Sequence, residues 1–239
     1  MRFASRDSSA PRLAQLVPMG SRLLAGSAAA GSLALGWWWY RVTRAGVHEV
    51  AIPPDSALGQ QVAASLGGSG GCASDAFACI VPLPRGVQLA ALNERYMRAF
   101  FTSPLFRAER AILAAAGYPS TDAEIAVMRF DRPGTDRVAI FDLTSRSASS
   151  GLDEALYSWS PSGRTWFGVR DGPNAHSAEL LCGSAILDVP AAPFSNAPLG
   201  EQLKGALAYS FWPLHRAYGQ LLLAEARLRL PTGNSPPES

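Results

Sequence analysis

Lysine, histidine and cysteine are scarce in this chain of 239 residues, and each scarcity argues against a class of function. Lys204 is the only lysine among 21 basic residues, and the net charge is only +2. Because no basic patch is interleaved with aromatic residues, the composition argues against a nucleic acid partner. The three histidines, His48, His176 and His215, lie far apart, and none stands in a pattern typical of a catalytic base.

Reactive motifs are also missing from the chain. There is no G-x-S-x-G, no H-E-x-x-H and no phosphate-binding glycine loop, and the GGSGG at 67–71 has the composition of a linker. The sequence therefore predicts no metal, no cofactor and no catalytic residue. Paired-carboxylate chemistry is not supported, because no spacing holds two acids on one face among Asp122, Glu124, Asp131, Asp136 and Asp142.

Only three cysteines are present, and they have neither C-x-x-C spacing nor a metal-binding spacing with histidine. In an exported domain Cys72 and Cys79 could close a small disulfide loop, although half of that span has the pattern of a strand. Cys182 lies in the apolar run LLCGSAIL, which predicts a buried thiol.

What the chain does contain is an uncharged run at 23–40, LLAGSAAAGSLALGWWWY, closed by Arg22 and Arg41. A helix of this length can just cross a hydrocarbon core of about 30 Å. The three tryptophans and Tyr40 lie at its downstream end, where aromatic rings favour the headgroup level. The run predicts one transmembrane anchor, and Gly26, Ala30 and Ala34 would allow close contact with another helix in the bilayer.

Arginines before this run outweigh those after it, so the positive-inside rule keeps residues 1–22 in the cytoplasm and the body of the protein outside. This predicts a bacterial inner membrane protein with a periplasmic domain. The alternatives are a cleaved export signal, with 28–30 as the small-residue site, and a mitochondrial presequence that would place the domain at the inner mitochondrial membrane.

The remaining composition, 48% hydrophobic and 17% charged, predicts one globular domain. Pro53-Pro54 and GGSGG predict a flexible tether over 41–74, broken by a short helix at 58–66, and the domain proper over 75–230. The polar tail 231–239 is expected to be disordered.

Hydrophobic periodicity predicts a first strand at 76–82, amphipathic helices at 87–101 and 104–116, and a short helix from Ser120 with a capping box between Thr121 and Glu124. Beyond Gly134, four β-rich runs separated by turn residues indicate antiparallel strands: 138–144, 155–160, 165–170 and 178–189. A long helix at 199–230, kinked at Pro213, carries the apolar stripe Leu203, Leu207, Phe211, Leu214, Tyr218 and Leu221.

This order predicts an α+β fold in which the last helix covers one face of a curved antiparallel sheet. It resembles the helix-grip fold of the START and Bet v 1-like (SRPBCC) superfamily. Within that superfamily, FFTSPLFRAERAILAAAG, STDAE, DRVAIFDL and GRTWFGV are similar to the uncharacterised DUF2867-type bacterial proteins. The resemblance implies a cavity between the sheet and the last helix that takes apolar or lipid-like molecules.

A cavity of that kind would be lined by apolar and aromatic residues with a few polar groups. The candidates for ligand binding are Tyr157, Trp159, Phe167, Phe211, His215 and Tyr218, although such residues also form ordinary cores. Arg107 has two interpretations: it turns inward to hold an anionic head or to pair with Asp142, or it lies on a solvated helix face beside Glu109.

Three hypotheses follow. The first is a membrane-anchored, non-catalytic binding protein for an apolar or lipid-like small molecule. The second is an accessory or assembly subunit of a membrane protein complex, and the third is an enzyme of the cyclase or hydratase type on the same fold.

Overall fold

The computed structural model describes residues 35–68, 71–149, 151–189 and 199–230, with side chains of the last range described from residue 212 onward. The chain divides into two compact units, Met1–Tyr40 and Arg41–Ser239. The described helices are α1 (35–45), α2 (Ala57–Gly67), α3 (Leu89–Phe101), α4 (Pro104–Ala115), α5 (Asp122–Val127) and α6 (Leu199–Arg229). The strands are β1 (His48–Glu49), β2 (Gly71–Pro82), β3 (Arg137–Val138), β4 (Phe141–Ser149), β5 (Leu152–Ser158), β6 (Gly163–Asp171) and β7 (Ser177–Val189).

The predicted α+β class is confirmed, because all seven strands form one antiparallel sheet and a long helix ends the fold. The order across the sheet is β1-β2-β7-β6-β5-β4-β3. The first long strand, β2, therefore pairs with the last, β7, over almost its whole length. This pairing brings residues about a hundred positions apart into one surface, and it joins the two ends of the fold.

Both faces of the sheet are covered, and strand alternation sorts the side chains between them. On the inner face, Phe77 and Cys79 of β2 belong to the larger core, which α3, α4 and α6 cover. On the outer face, Ala78 belongs to a second core with Trp166 and with Leu58 of α2. Burial on both faces explains the apolar runs AFACIV in β2 and LLCGSAIL in β7, the two strands at the centre of this packing.

Local signals set the inner helices. The side chain of Ser103 accepts a hydrogen bond from the Phe106 amide, and Pro104 occupies the first turn of α4. The predicted capping box at the start of α5 is present, with Thr121 and Glu124 bonded reciprocally. These two caps confirm where α4 and α5 begin.

Residues 41–68 differ from the expected flexible tether. β1 pairs with β2, and α2 packs on the outer face of the sheet through Leu58, which is fully buried. Gly183 makes this approach possible, because a Cβ there would lie 2.9 Å from a methyl carbon of Leu58. The sequence of this helix, ALGQQVAASLG, is only weakly amphipathic, because a short helix can pack through a narrow apolar contact. Its position on the sheet could therefore not be predicted from the sequence.

The stripe that α6 buries agrees only in part with the predicted one: Tyr218 does face the inner core. Leu214 is 67% exposed, whereas Leu222, Leu223 and Ala226 are buried against the inner core. The inward stripe instead runs through positions 215, 218, 219, 222 and 226, which share one face at a period of 3.6 residues. The predicted side chains Leu203, Leu207 and Phe211 lie outside the described set.

The three cysteines are free thiols. Cys72 and Cys79 both lie on β2, and their separation of seven positions puts their side chains on opposite faces, about 23 Å apart along an extended strand. Cys79 belongs to the inner core and Cys72 contacts the outer one. A disulfide between them is therefore incompatible with this strand.

The N-terminal predictions fall mostly on residues without a described structure. Residues 1–22, the segment 23–34 of the expected anchor and the tail 231–239 lie outside the described ranges. Within those ranges, no helix combines the length and apolarity needed to cross a membrane.

Candidate functional site

A cavity of about 260 Å³ lies between the inner face of the sheet and the C-terminal helix α6. Helices α3 and α4 and the strand β4 complete its wall. Most of its exposed surface is apolar. The apolar residues that line it are Phe100, Phe106, Ile140, Phe141, Trp159 and Leu222.

The floor of the cavity comes from neighbouring strands. Thr165 of β6 is the register partner of Ser184 of β7, and Cys182 lies two residues away on the same face. These three side chains place two hydroxyls and a thiol beneath the apolar wall. One strand further along the same row, Asp75 of β2 is the register partner of Ser184.

The wall opposite the floor is one face of α6. His215, Tyr218, Gly219 and Leu222 follow the spacing i, i+3, i+4 and i+7, so they line up along the helix. Gly219 leaves room at the middle of this face, since a Cβ there would meet only Phe77, at 3.6 Å.

The main polar contact in the cavity joins two helices. The Tyr218 hydroxyl donates a hydrogen bond to Oε2 of Glu109, which α4 presents to the cavity. Burial raises the pKa of Glu109, and the hydrogen bond from Tyr218 partly opposes that effect. Burial beside Glu109 likewise raises the pKa of Tyr218 far above its ordinary value, so the phenol keeps its proton and donates.

The imidazole ring of His215 packs against an aromatic neighbour and favours its neutral form. Its ring stacks on Trp212 with centroids 4.8 Å apart and planes inclined by 23°. Burial lowers the pKa of His215, so the neutral imidazole is favoured at neutral pH.

Asp75 is a buried acid beside the floor of the cavity. Its residue is 7% exposed, and among the described residues its Oδ2 atom has no hydrogen-bond partner. Burial raises the pKa of Asp75 to about 7, while Arg216 on α6 acts in the opposite direction. Arg216 itself is paired with Glu49 of β1.

The structure brings together three of the seven residues predicted to bind a ligand: Trp159, His215 and Tyr218 all line the cavity. Tyr157 and Phe167 are fully buried in the packed inner core, where their ring centroids lie 5.6 Å apart in an edge-to-face contact. The side chain of Phe211 is outside the described set.

Arg107, the seventh residue, is directed away from the cavity. Its side chain is 49% exposed and pairs with Asp122, which also pairs with the buried Arg110. Asp142, the acid considered for Arg107, pairs with Arg137 at 3.1 Å. The geometry therefore matches the solvated-face interpretation of Arg107.

Sequence reasoning missed the acids Glu109 and Asp75 and the floor residues Thr165, Cys182 and Ser184. Glu109 had a detectable signal, because it lies three residues after Phe106 and four before Leu113, on the apolar face of α4. The floor residues had none, since their proximity depends on strand pairing across the sheet.

A larger and more open cleft of about 440 Å³ lies beside Tyr118 and Arg137. Its arginines are already engaged, Arg132 with Asp136 and Arg137 with Asp142. Among the described residues, no group of three or more His, Cys, Asp or Glu side chains could hold a metal ion. The cavity under α6 is less open and more apolar than this cleft, and it is therefore the better candidate for a binding site.

No protein-family model, no curated protein and no solved structure matches this chain.

Proposed function

We propose that this protein binds a small apolar molecule in the cavity between the sheet and α6, without converting it chemically. The observation that carries the proposal is the cavity itself: a partly open space of about 260 Å³ with a mostly apolar surface. Well-packed cores leave few voids larger than a water molecule, whereas ligand sites are concave and mostly apolar. A cavity of this size and lining therefore fits a binding site better than a packing defect.

The volume limits the ligand. An apolar cavity of about 150 Å³ is large enough for benzene, so this one has room for roughly ten non-hydrogen atoms. A monocyclic aromatic molecule, a small terpenoid or one end of a longer lipid fits this limit. A whole membrane lipid does not.

The order of elements supports the same proposal. A strand, three helices, five further strands and a long helix follow one another in β2, α3 to α5, β3 to β7 and α6. This order is compatible with the helix-grip fold, which the DUF2867-type resemblance also implies. In that fold the space between the sheet and the last helix commonly holds apolar molecules, which is where the cavity lies here.

A variant that fills the cavity tests the proposal. Gly219→Leu should place an isobutyl group in the cavity and weaken binding of a small aromatic probe such as toluene by at least about tenfold, because overpacking costs about 1–3 kcal/mol. Gln220→Leu, one position along and outside the lining, is the matched control. Calorimetric titration of both variants measures the effect, and equal affinities for the two would count against the proposal.

A second candidate is an enzyme of the cyclase or hydratase type, favoured by the hydrogen bond between Glu109 and Tyr218 inside the cavity. These groups could move a proton to and from a bound substrate. Recovery of a chemically altered ligand after incubation with the protein would favour this candidate, whereas unchanged ligand favours simple binding.

We also propose that the run at 23–40 attaches the domain to a membrane, with residues 1–22 on the cytoplasmic or matrix side. The support is the uncharged length and the excess of arginine before it. Leu33→Arg in the full chain should shift the protein from the carbonate-resistant membrane fraction to the supernatant.

Stoichiometric protein partners in gently solubilised material would instead favour an accessory subunit of a membrane complex.

A further inference from the structure

Among the residues whose side chains are described, the polar groups that line the cavity are acidic or neutral. Its described polar groups are the carboxyl of Glu109, the hydroxyls of Tyr218, Thr165 and Ser184, the thiol of Cys182 and the imidazole of His215. Neither arginine nor lysine lines the cavity among the residues whose side chains are described. Burial favours the neutral form of His215, so this ring adds no cation.

The arginines that flank Glu109 and His215 in the sequence are engaged in ion pairs elsewhere. Arg107 and Arg110 of α4 both pair with Asp122, outside the cavity. Arg216, the neighbour of His215 on α6, pairs with Glu49. A carboxylate or phosphate entering the cavity would therefore meet a carboxyl group and no available cation in the described lining.

We propose that the cavity selects apolar molecules whose polar group is a hydrogen-bond donor, an ammonium above all, and that Glu109 receives this group. The inference rests on the proposed function and specifies the ligand class. The expected ligand is therefore cationic or neutral, whereas an inward Arg107 would have implied an anionic ligand.

The geometry at Glu109 suits such a donor. Tyr218 donates to Oε2, and a carboxylate can accept several hydrogen bonds, which leaves capacity for a ligand N–H. Charge-assisted hydrogen bonds of this kind are stronger than neutral ones, and more so in an apolar cavity. The unpartnered Oδ2 of Asp75, beside Ser184 on the sheet, adds a second acidic group on the same face.

A matched series of probes tests the proposal on the full chain. Phenethylamine, phenethyl alcohol, phenylpropanoate and ethylbenzene share one ring and a short arm but differ in the polar group. Calorimetric titration should give affinities in the order amine, alcohol, carboxylate, with the amine at least about tenfold tighter than the carboxylate. A carboxylate that binds as tightly as the amine overturns the proposal.

The same series separates two kinds of failure. If ethylbenzene and the carboxylate bind as well as the amine, the cavity binds apolar molecules and only the selection for donors is wrong. If none of the four probes binds, ethylbenzene included, the proposed function fails and this inference fails with it.

Glu109→Gln provides an independent measurement, because glutamine keeps the shape of the side chain and removes its charge. Affinity for phenethylamine should fall about tenfold, and affinity for ethylbenzene should change less than about threefold. Glu94→Gln, the same change on α3 outside the lining, is the control.

Lowering the pH should also weaken amine binding to the native chain as Glu109 takes up a proton, and a pH-independent affinity would contradict the role of Glu109.

Discussion

Two acids with raised pKa values lie on the inner side of the sheet, and they have different surroundings. Glu109 is half-buried and accepts a hydrogen bond from Tyr218. Asp75 is buried on β2, with one oxygen unpartnered among the described residues. An ionised carboxylate without full compensation is costly inside a protein, so the charge state of Asp75 should be visible in the stability of the fold.

We expect the free energy of unfolding to fall as the pH rises from about 4 to about 7, because burial raises the pKa of Asp75 from 3.8 to about 7. The folded protein holds this proton more tightly than the unfolded chain does. The stabilisation is therefore fully present below the unfolded pKa, and it is lost as the pH passes the folded one.

The variant Asp75→Asn should be more stable than the native chain by about 1–3 kcal/mol at pH 8 and equally stable near pH 4. Urea unfolding at several pH values measures the difference. Asp131→Asn, which removes one exposed carboxylate, controls for the change in net charge. A stability gain that is the same at every pH would show that ionisation of Asp75 is not its cause.

For single residues, the sequence predicts which aromatic side chains face the interior better than it predicts the partners of charged side chains. Trp159, His215 and Tyr218 were predicted to line a cavity and do line one, although ligand binding by them stays a prediction. Arg107 could not be placed from its sequence, because its direction depends on Asp122, which belongs to the next helix. Pairs of charges on different elements are decided by the packing of those elements.

At the scale of elements, α2 shows how a short helix is attached to the outer face of the sheet. Glu154 of β5 is 6% exposed, and its two oxygens accept from the amide of Ala57, at the start of α2. They also accept from Nε1 of Trp166 at 2.7 Å and from the Ser147 hydroxyl at 2.8 Å. A carboxylate at a helix N-terminus is favourable both as a hydrogen-bond acceptor and through the helix dipole.

Glu154→Leu should therefore destabilise the fold by at least about 3 kcal/mol, because it leaves the part-buried Ala57 amide and the buried Trp166 indole without their acceptor. Ser147→Ala, which removes one exposed donor, should cost about 1 kcal/mol or less. Denaturant unfolding measures both values.

Hydrogen exchange distinguishes the mechanism. If Glu154 attaches α2, the amides of α2 should exchange faster in Glu154→Leu than those of α3 on the opposite face of the sheet. Equal acceleration in α2 and α3 would mean that the variant weakens the whole sheet and not this attachment.

At the scale of the whole molecule, the two-faced sheet decides the chemistry of the cysteines. Cys79 and Cys182 lie on the paired central strands β2 and β7, and burial raises the pKa of each thiol to about 12. Cys72 is only partly buried, at the edge of the outer core. Thiolates are the reactive species, so the three residues should differ in reactivity.

We expect iodoacetamide at pH 8 to label Cys72 first and to label Cys182 only slowly through the cavity, because burial keeps that thiol protonated. Cys79, which does not line the cavity, should react only when the molecule unfolds globally. Mass spectrometry of the native and the denatured protein measures the number of labels, and the unlabelled mass should be the same with and without reductant. Rapid labelling of Cys79 in the native protein would contradict this expectation and would mean that the sheet opens locally.

The sequence by itself determined the local order of this protein. Periodicity and caps predict α3, α4, α5 and the strands from β4 to β7 near their observed positions, because these signals depend on residues a few positions apart. The α+β class follows from that order.

Only the tertiary structure decided which surfaces meet. The pairing of β2 with β7, the packing of α2 on the outer face and the exposure of Leu214 all depend on contacts between distant parts of the chain. The same is true of the cavity, where Glu109, Ser184 and Tyr218 come from three separate elements. Local propensity carries no information about such contacts, since their free energy arises only when the elements pack together.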